Sequence, residues 1–583
     1  MANIIGIDLG TTNSGIAYIA EQNARIIPNK AGSNVTPSVV YFAEDGSVAV
    51  GEPAVNMQLI APNRTVTGIK RKMGIDENVN VAGKKYSPQL ISSYILKKLK
   101  NDAEDYLGEN IHDAVITVPA YFSDAQRQAT VDAGKIAGLN VVRIINEPTA
   151  ASLAYGLNDY THQNIVVYDL GGGTFDVSVL ELESGIFEVR ATKGNNHLGG
   201  MDFNKRIVDF IICKYKEETG IDLTNDKLAV QKLFDAAERV KIELSESENA
   251  KIEIPFITAD EKGPRHLSCP LSRNDLEILI GDYIDTTMAL TDEAITEAGM
   301  SHSDIDKIIL VGGSSQIPMV SRKLTEMIGE KIMTGINPLE VVARGAAIQA
   351  GIIAGEVKGM VLVDITPLSL GIEIDHGLFV PIIERGSPIP TEAKKIFTTV
   401  EDYQSSVEIH ILQGERRMAK ENTTLGTFTL TGIEAAPKGE VSIEVTFNID
   451  INSIVSVSAR DVKTGESKTV IVNTKTGLTD NEIRQIIEDS NIDGITPNNF
   501  IKMFDDAEEG RDIIRKIEHL LNNDNADNSL HADIEAAIIF FDKAVDERDF
   551  FAVEKYLGVL KDYLSELTIS VQENIAKEEF VYR

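Results

Sequence analysis

The sequence predicts a multidomain chain in three parts: an α/β region over residues 1–355, an antiparallel β-domain over 365–477 and a helical region over 478–583, with 356–364 joining the first two. Three observations predict it. Residues 1–355 alternate strand-like and helix-like segments. Within them one pattern occurs twice about 160 residues apart, IIGIDLGTTNSGIAYI at 4–19 and IVVYDLGGGTFDVSVLEL at 165–182. Beyond residue 365 the period shortens to two, and beyond 478 it lengthens to that of amphipathic helices.

The repeated pattern is an apolar strand ending in Asp, a glycine- and threonine-rich tip, and a second β-type run. Each copy is a hairpin, and two copies imply two related lobes facing each other across a cleft. Further strands are expected over Asp113–Val118 and Lys307–Val311, and helices over Pro88–Leu107 and Ser123–Ala137. In the β-domain, Val441, Ile443, Val445, Phe447 and Ile449 alternate with Ser442, Glu444, Thr446 and Asn448, so one side of that strand is buried. The helical part opens on a capping box, Thr479 to Glu482, with later helices opening near Pro497 and Ser529. It carries 25 acidic and 11 basic side chains, a net charge of −14, which makes its outer face strongly acidic.

Bulk properties narrow the function. A formal charge of −33 argues against nucleic acid and anionic membranes as partners, since both select basic surfaces. Two cysteines, Cys213 and Cys269, build no disulfide framework, and the N-terminus runs straight into a strand pattern, so a cytoplasmic location is expected. No apolar run is long enough to cross a bilayer. The nine histidines show no metal-ligand spacing, and His197 and His410 read as structural.

The hairpin tips are the candidate chemical site. Phosphate groups need backbone N–H donors at close range, and glycine permits that approach. Gly10, Thr11, Thr12 and Asn13 supply such a tip, as do Gly171, Gly172, Gly173 and Thr174. Asp8 and Asp169 end the strands before them. Two carboxylates beside phosphates suit a Mg²⁺ held through water, because Mg²⁺ gives up its water reluctantly. IILVGGSSQIP at 308–318, with Gly312, Gly313, Ser314 and Gln316, is a third glycine-bearing turn; taken alone it is an ordinary strand–turn–helix junction. The apolar Met360, Val361, Leu362 and Val363 either dock somewhere in one state or form an edge strand of the β-domain.

Read in order, IDLGTTNS, VPAYFSDAQRQAT, INEPTAASLAYG, YDLGGGTFDVSVLE, NHLGGMDF, AAERVKIELS, DITPLSLGIE and LQGER closely resemble the DnaK-type heat shock protein 70 family over residues 3 to about 490. The resemblance implies an actin-like ATPase domain, a β-sandwich that binds peptide, and a helical lid. It implies ATP or ADP, Mg²⁺ and K⁺ as cofactors. The implied partners are extended apolar peptides, a J-domain co-chaperone and a nucleotide exchange factor. It gives Lys70 the role of catalytic lysine, sets Thr174 near the γ-phosphate, and makes Glu147 and Asp176 polar members of the site with Asp8 and Asp169. Gly199 and Gly200, in NHLGGMDF, join the nucleotide-binding set, and Glu238, Lys241 and Ser245 would hold adenosine. Pro119 and Arg127 would relay between domains together with the linker, and Arg143, Asn146 and Thr149 would meet the J-domain. Ile372, Ile374, Leu378, Phe379, Ile382, Ile389, Phe397, Val400 and Val407 fall where the family lines its peptide channel. For Ile389 and Phe397 the residues alone fit sandwich core equally well.

The sequence departs from that pattern in places. Gln316 stands where many relatives carry an arginine stacked on adenine, and Asp375 where the DnaK channel has an apolar arch residue opposite Val400. SQIP, FVPIIERG and the short lid sequence are closer to HscC-type paralogues, so a specialised chaperone with few clients stays open. A small-molecule kinase of the same superfamily would have no use for the β-domain. A filament protein or a scaffold that does not hydrolyse ATP also shares the nucleotide signature.

Overall fold

The structure, a computed structural model, describes residues 4–581 apart from 76, 157–160, 261–262, 336, 452–453, 466, 472–477, 491–505, 507–508, 518–519, 522–527 and 548–549. The chain divides into two compact units, residues 1–133 with 141–478, and residues 134–140 with 479–583.

The repeat in the sequence is a repeat in the fold. In the first lobe, Ile5–Asp8 pairs antiparallel with Asn13–Ala20 and parallel with Asp113–Val118. In the second, Gln163–Leu170 pairs antiparallel with Phe175–Glu183 and parallel with Lys307–Val311. Both hairpins therefore present their glycine tips at the same corner of their sheets. The helix Pro88–Leu107 runs over the range its pattern predicts; its Ser87 side chain accepts the Leu90 N–H and Gly108 follows its last turn in left-handed conformation.

Two helices, Glu147–Gly156 and Val341–Ile353, cross on small residues between the two sheets, the first packed on the second lobe's strands and the other on Ile5–Asp8 and Asn13–Ala20. A Cβ on Gly345 would sit 1.7 Å from the Ala150 carbonyl oxygen, and one on Gly6 2.1 Å from the Ala347 nitrogen. Close-packed interiors do not absorb such overlap. Gly345→Val is therefore expected to lower stability by about 3 kcal/mol or more, read as a fall in the urea midpoint.

The β-domain is two four-stranded antiparallel sheets. One runs in the order Leu378–Ile383, Leu370–Ile374, Ser406–Gln413, Thr423–Thr431; the other runs Thr391–Thr398, Ser442–Ile449, Val455–Asp461, Ser467–Ile471. Ile372, Ile409, Ile411 and Phe428 of the first pack with Ile443, Val445, Phe447 and Val457 of the second. The alternation over 441–450 thus sets the buried face as expected.

The segment after Gly359 is not a loose tether. The strand Val361–Ile365 pairs parallel with the second-lobe strand Ile186–Asn195, Val361 opposite Ile186, Leu362 opposite Phe187 and Val363 opposite Glu188. Its last two residues pair antiparallel with Pro388–Ile389 of the β-domain. Docking and edge-strand pairing, alternatives for the sequence, are carried out by two halves of one strand.

In the second unit the capping box forms: the Thr479 hydroxyl and backbone N–H both donate to Glu482, and Glu482 N–H donates back to Thr479 Oγ1. The helix Asp480–Ser490 follows, and later helices span Asn528–Glu547 and Phe550–Val581. Ser529 is the second residue of its helix, while Pro497 lies outside the described residues. Among the described residues, no helix is long and apolar enough to cross a membrane.

Candidate functional site

Between the lobes lies a cavity of about 430 Å³. Its floor is formed by the two hairpin tips: Asp8, Gly10, Thr11, Thr12 and Asn13 from the first, Asp169, Gly171, Gly172 and Thr174 from the second, with Lys70 and Glu147 beside them. The tips touch, since a Cβ on Gly172 would fall 1.9 Å from Thr12 Oγ1. Only glycine lets the loops approach that closely.

Each tip is braced. Ser38 Oγ donates to the Gly10 carbonyl at 2.8 Å, and Ser14 Oγ accepts the Gly10 N–H at 3.2 Å. In the second tip, Gly171 N–H donates to the Thr174 carbonyl, while Gly200 and Met201 N–H donate to the Gly171 and Gly172 carbonyls. Gly173, Gly199, Gly200 and Asp176 do not line the cavity; they form this support. Asp176 Oδ1 accepts the Tyr121 N–H at 3.0 Å.

The electrostatics are unbalanced towards acid. Four carboxylates, buried Glu147, Asp169 and Asp176 and half-buried Asp8, surround Lys70, which is ion-paired with Glu147 and 4% exposed. Burial, then the nearby Glu147 charge, pushes Asp8 up to about 7 against the opposing pull of Lys70 and the Thr117 hydroxyl. Burial and Glu147 likewise push Asp176 up to about 7 and Asp169 well above its usual range. Asp176 Oδ2 is buried with no hydrogen-bond partner. This donor set fits a divalent cation: a doubly charged ion supplies the positive charge that one lysine does not. Of the four, Asp8, Glu147 and Asp169 line the cavity; Glu147 is paired with Lys70, so Asp8 and Asp169 are the residues that would hold it, through water.

The far end of the cavity carries more apolar side chains. Glu238, Lys241 and Ser245 lie on one face of the helix Lys227–Glu246, together with Ile242. Lys241 Nζ donates to Glu238 and to the Gly200 carbonyl, and burial lowers its pKa while Glu238 opposes that shift. Opposite stand Gly312, Gly313, Ser314 and Gln316, with Pro338, Leu339 and Val342 as an apolar wall. Gln316 is exposed and lines the opening. Sequence reasoning missed this wall, and also Thr117, Ser38 and Arg71.

A polar chain runs from the cavity to the linker. Arg127, 3% exposed, donates to Asn146 Oδ1 at 2.7 Å and to the Ala120 carbonyl at 3.1 Å. Asn146 Nδ2 donates to Asp364 Oδ2 at 2.7 Å. Asn146 precedes Glu147, the partner of Lys70. Pro119 is buried one residue before Ala120, and its carbonyl accepts the Phe122 N–H. Burial raises the Asp364 carboxyl, opposed by the Ile365 N–H and by Arg127 and Arg143. Thr149 is buried two residues beyond Glu147. A second link joins the domains where Arg385 meets Glu297 and the Thr192 carbonyl.

The candidate channel residues divide by burial. Ile372 and Ile389 are in the sandwich core; Ile374, Ile382, Phe397 and Val407 are half-buried against it. Leu378 and Phe379 are half-buried, and Val400 is exposed. Asp375 is exposed in the turn between Leu370–Ile374 and Leu378–Ile383. His410 is held by Glu373 and Thr424, and His197 is exposed.

A two-lobed nucleotide cavity, joined by a paired strand to a β-sandwich and followed by helices, defines a nucleotide-binding protein with an appended module. A family model described as Hsp70 protein matches residues 4–79 and 75–575. The chain belongs to the Hsp70 family, whose members are ATP-dependent chaperones that bind ATP or ADP with Mg²⁺ and act on peptides with co-chaperones.

Proposed function

We propose that this chain hydrolyses ATP in the cavity between the hairpin tips and uses the reaction to control its grip on extended apolar peptides. One observation carries this reading: the strand Val361–Ile365 is shared between the ATPase sheet and the β-domain, and its Asp364 is bonded to Asn146, next to the Glu147–Lys70 pair. A change at the phosphate end has a short path to the linker.

The reaction is in-line attack of water on the γ-phosphorus, with no covalent intermediate. Phosphoryl transfer of this kind depends on position and charge. Thr11, Thr12, Asn13 and Thr174 hold the phosphates. Glu147 orders the water and releases Lys70 towards the phosphoryl oxygens as negative charge builds there. Asp8 and Asp169 would hold Mg²⁺ through water, and Mg²⁺ and K⁺, when bound, would supply positive charge against the phosphates. Glu238, Lys241 and Ser245 take the adenosine. An extended peptide adds main-chain hydrogen bonds at the β-domain, with Leu378, Phe379, Phe397 and their neighbours supplying the apolar surface. Of the residues expected to meet the J-domain, half-buried Arg143 would do so directly, whereas Asn146 and Thr149 are buried and can act only from behind it; an exchange factor resets the nucleotide.

The second reading, a dedicated HscC-like chaperone, is favoured by Asp375: an exposed carboxylate at the turn selects against acidic peptides. In single-turnover assays, an apolar peptide together with a J-domain protein is expected to raise ATP hydrolysis at least fivefold. Stimulation by sugars alone would overturn the reading in favour of a small-molecule kinase.

A further inference from the structure

Arg71 follows Lys70 in the 3₁₀ turn Ile69–Lys72, yet the two side chains serve different partners. Lys70 turns to Glu147. Arg71 crosses to the second lobe: its Nε donates to the Gly173 carbonyl at 2.8 Å, and its two terminal nitrogens grip both oxygens of Asp202. Asp202 in turn accepts the Gly199 N–H at 2.9 Å, at the start of the helix Gly200–Thr219. Gly200 and Met201 of that same helix start hold the Gly171 and Gly172 carbonyls. One guanidinium thus ties the lysine turn to all three glycines of the second phosphate loop, directly at Gly173 and through Asp202 at the others.

The fit leaves little slack. A Cβ on Gly173 would lie 3.0 Å from Arg71 Nε and 2.6 Å from Thr11 Cγ2, so the arginine, the first tip and the second tip meet at one point. Gly68, just before the turn, is equally close to the second lobe: its Cβ would meet Met201 Cε at 2.9 Å. The Arg71 and Asp202 side chains are only 19% and 21% exposed, and the pair is bidentate, the geometry in which arginine gives direction as well as charge. Arg71 is not among the residues that line the cavity. It does not reach the reacting atoms itself.

We propose that Arg71 is a positioning residue for hydrolysis: by latching the turn of Lys70 to Gly173 and Asp202 across the cleft, it sets where the Lys70 ammonium stands relative to the phosphate held by the second loop. With the latch formed, Lys70 and Thr174 keep a fixed separation. With it broken, the lobes still bind nucleotide, but the lysine drifts. A displacement of about 1 Å in such a group can lower the rate about 100-fold. This inference rests on the ATPase reading above.

The test compares Arg71→Ala, Arg71→Lys, Asp202→Asn and the Arg71→Ala/Asp202→Asn double variant with the unaltered full-length chain. Single-turnover ATP hydrolysis, ATP affinity and thermal midpoint are measured on each. Expected is a loss of turnover of about 100-fold in Arg71→Ala, with ATP affinity within threefold. Arg71→Lys, which can keep one of the two contacts, is expected in between. The double variant is expected to be no slower than Arg71→Ala, because both changes break the same latch. A brace that serves only stability would shift the midpoint and leave turnover per folded molecule unchanged. Turnover within threefold of the unaltered chain in Arg71→Ala overturns the proposal, as do additive losses in the double variant. Should Arg71→Ala not fold, Arg71→Lys and Asp202→Asn decide by the same criterion. Absence of turnover in the unaltered chain would instead count against the ATPase reading.

Discussion

Lys70→Ala is expected to bind ATP nearly as well as the unaltered chain and to hydrolyse it 100- to 1,000-fold more slowly, the range seen when one preorganised charge donor is removed from a transition state. The physical ground is the charge balance of the cavity. Lys70 is the cation that faces Asp8, Glu147, Asp169 and Asp176 from the cavity wall. On the proposed reading, nucleotide affinity is spread over the two tips and the face of Glu238, Lys241 and Ser245 and does not hinge on that one charge. The transition state does, because the new negative charge develops beside it. Removal also leaves Glu147 buried without its ion pair, which in general destabilises a protein by about 3–5 kcal/mol. The variant is therefore expected to melt lower without ligand. Equilibrium titration with a fluorescent ADP analogue checks binding, and single-turnover hydrolysis well below the melting range checks chemistry. Equal turnover in the two proteins would refute the role given to Lys70.

The second large effect is expected at the shared strand. Leu362→Asp with Val363→Asp should abolish stimulation by peptide and leave basal hydrolysis within about threefold. Leu362 stands opposite the fully buried Phe187 and packs against the apolar core behind it. A carboxylate placed there loses hydration without gaining a partner, at a cost of several kcal/mol. The undocked strand, surrounded by water, suffers no such penalty, so the equilibrium moves towards undocking. Limited proteolysis reports the result: the paired strand should resist cleavage with ATP in the unaltered chain and be cut readily in the variant. The chain contains no tryptophan, so one introduced near Leu362 would give an unmixed fluorescence signal of docking. Retained peptide stimulation would show that coupling runs elsewhere, for instance through Arg385 and Glu297.

What could be read in the sequence was local. Hairpin tips, the helix Pro88–Leu107, the capping box at Thr479 and the alternation around Val445 are written within a few residues, where steric and periodic rules act directly. The two tips were legible because so close an approach of the two loops requires glycine. Arg71 was not, because its partners Gly173 and Asp202 lie 102 and 131 residues away and an arginine after a lysine has no periodic signature. Thr117, which donates to Asp8 across 109 residues, was hidden in the same way inside an ordinary strand. The apolar wall of Leu339 and Val342 looked like any core-facing segment. For the linker, composition left two alternatives standing because the strand does both, and only three-dimensional pairing shows where one use ends and the other begins.

The docked strand is held to the second lobe's sheet through three residue pairs, Val361 to Val363 against Ile186 to Glu188. At about 1 kcal/mol net for each hydrogen bond, plus the partial cover over Leu362, such a short zipper holds only a few kcal/mol. Reversing a two-state balance from one part in a hundred to ninety-nine takes about 5.5 kcal/mol. A longer seam would lock and a shorter one would never close; this length keeps release within reach of a single nucleotide exchange.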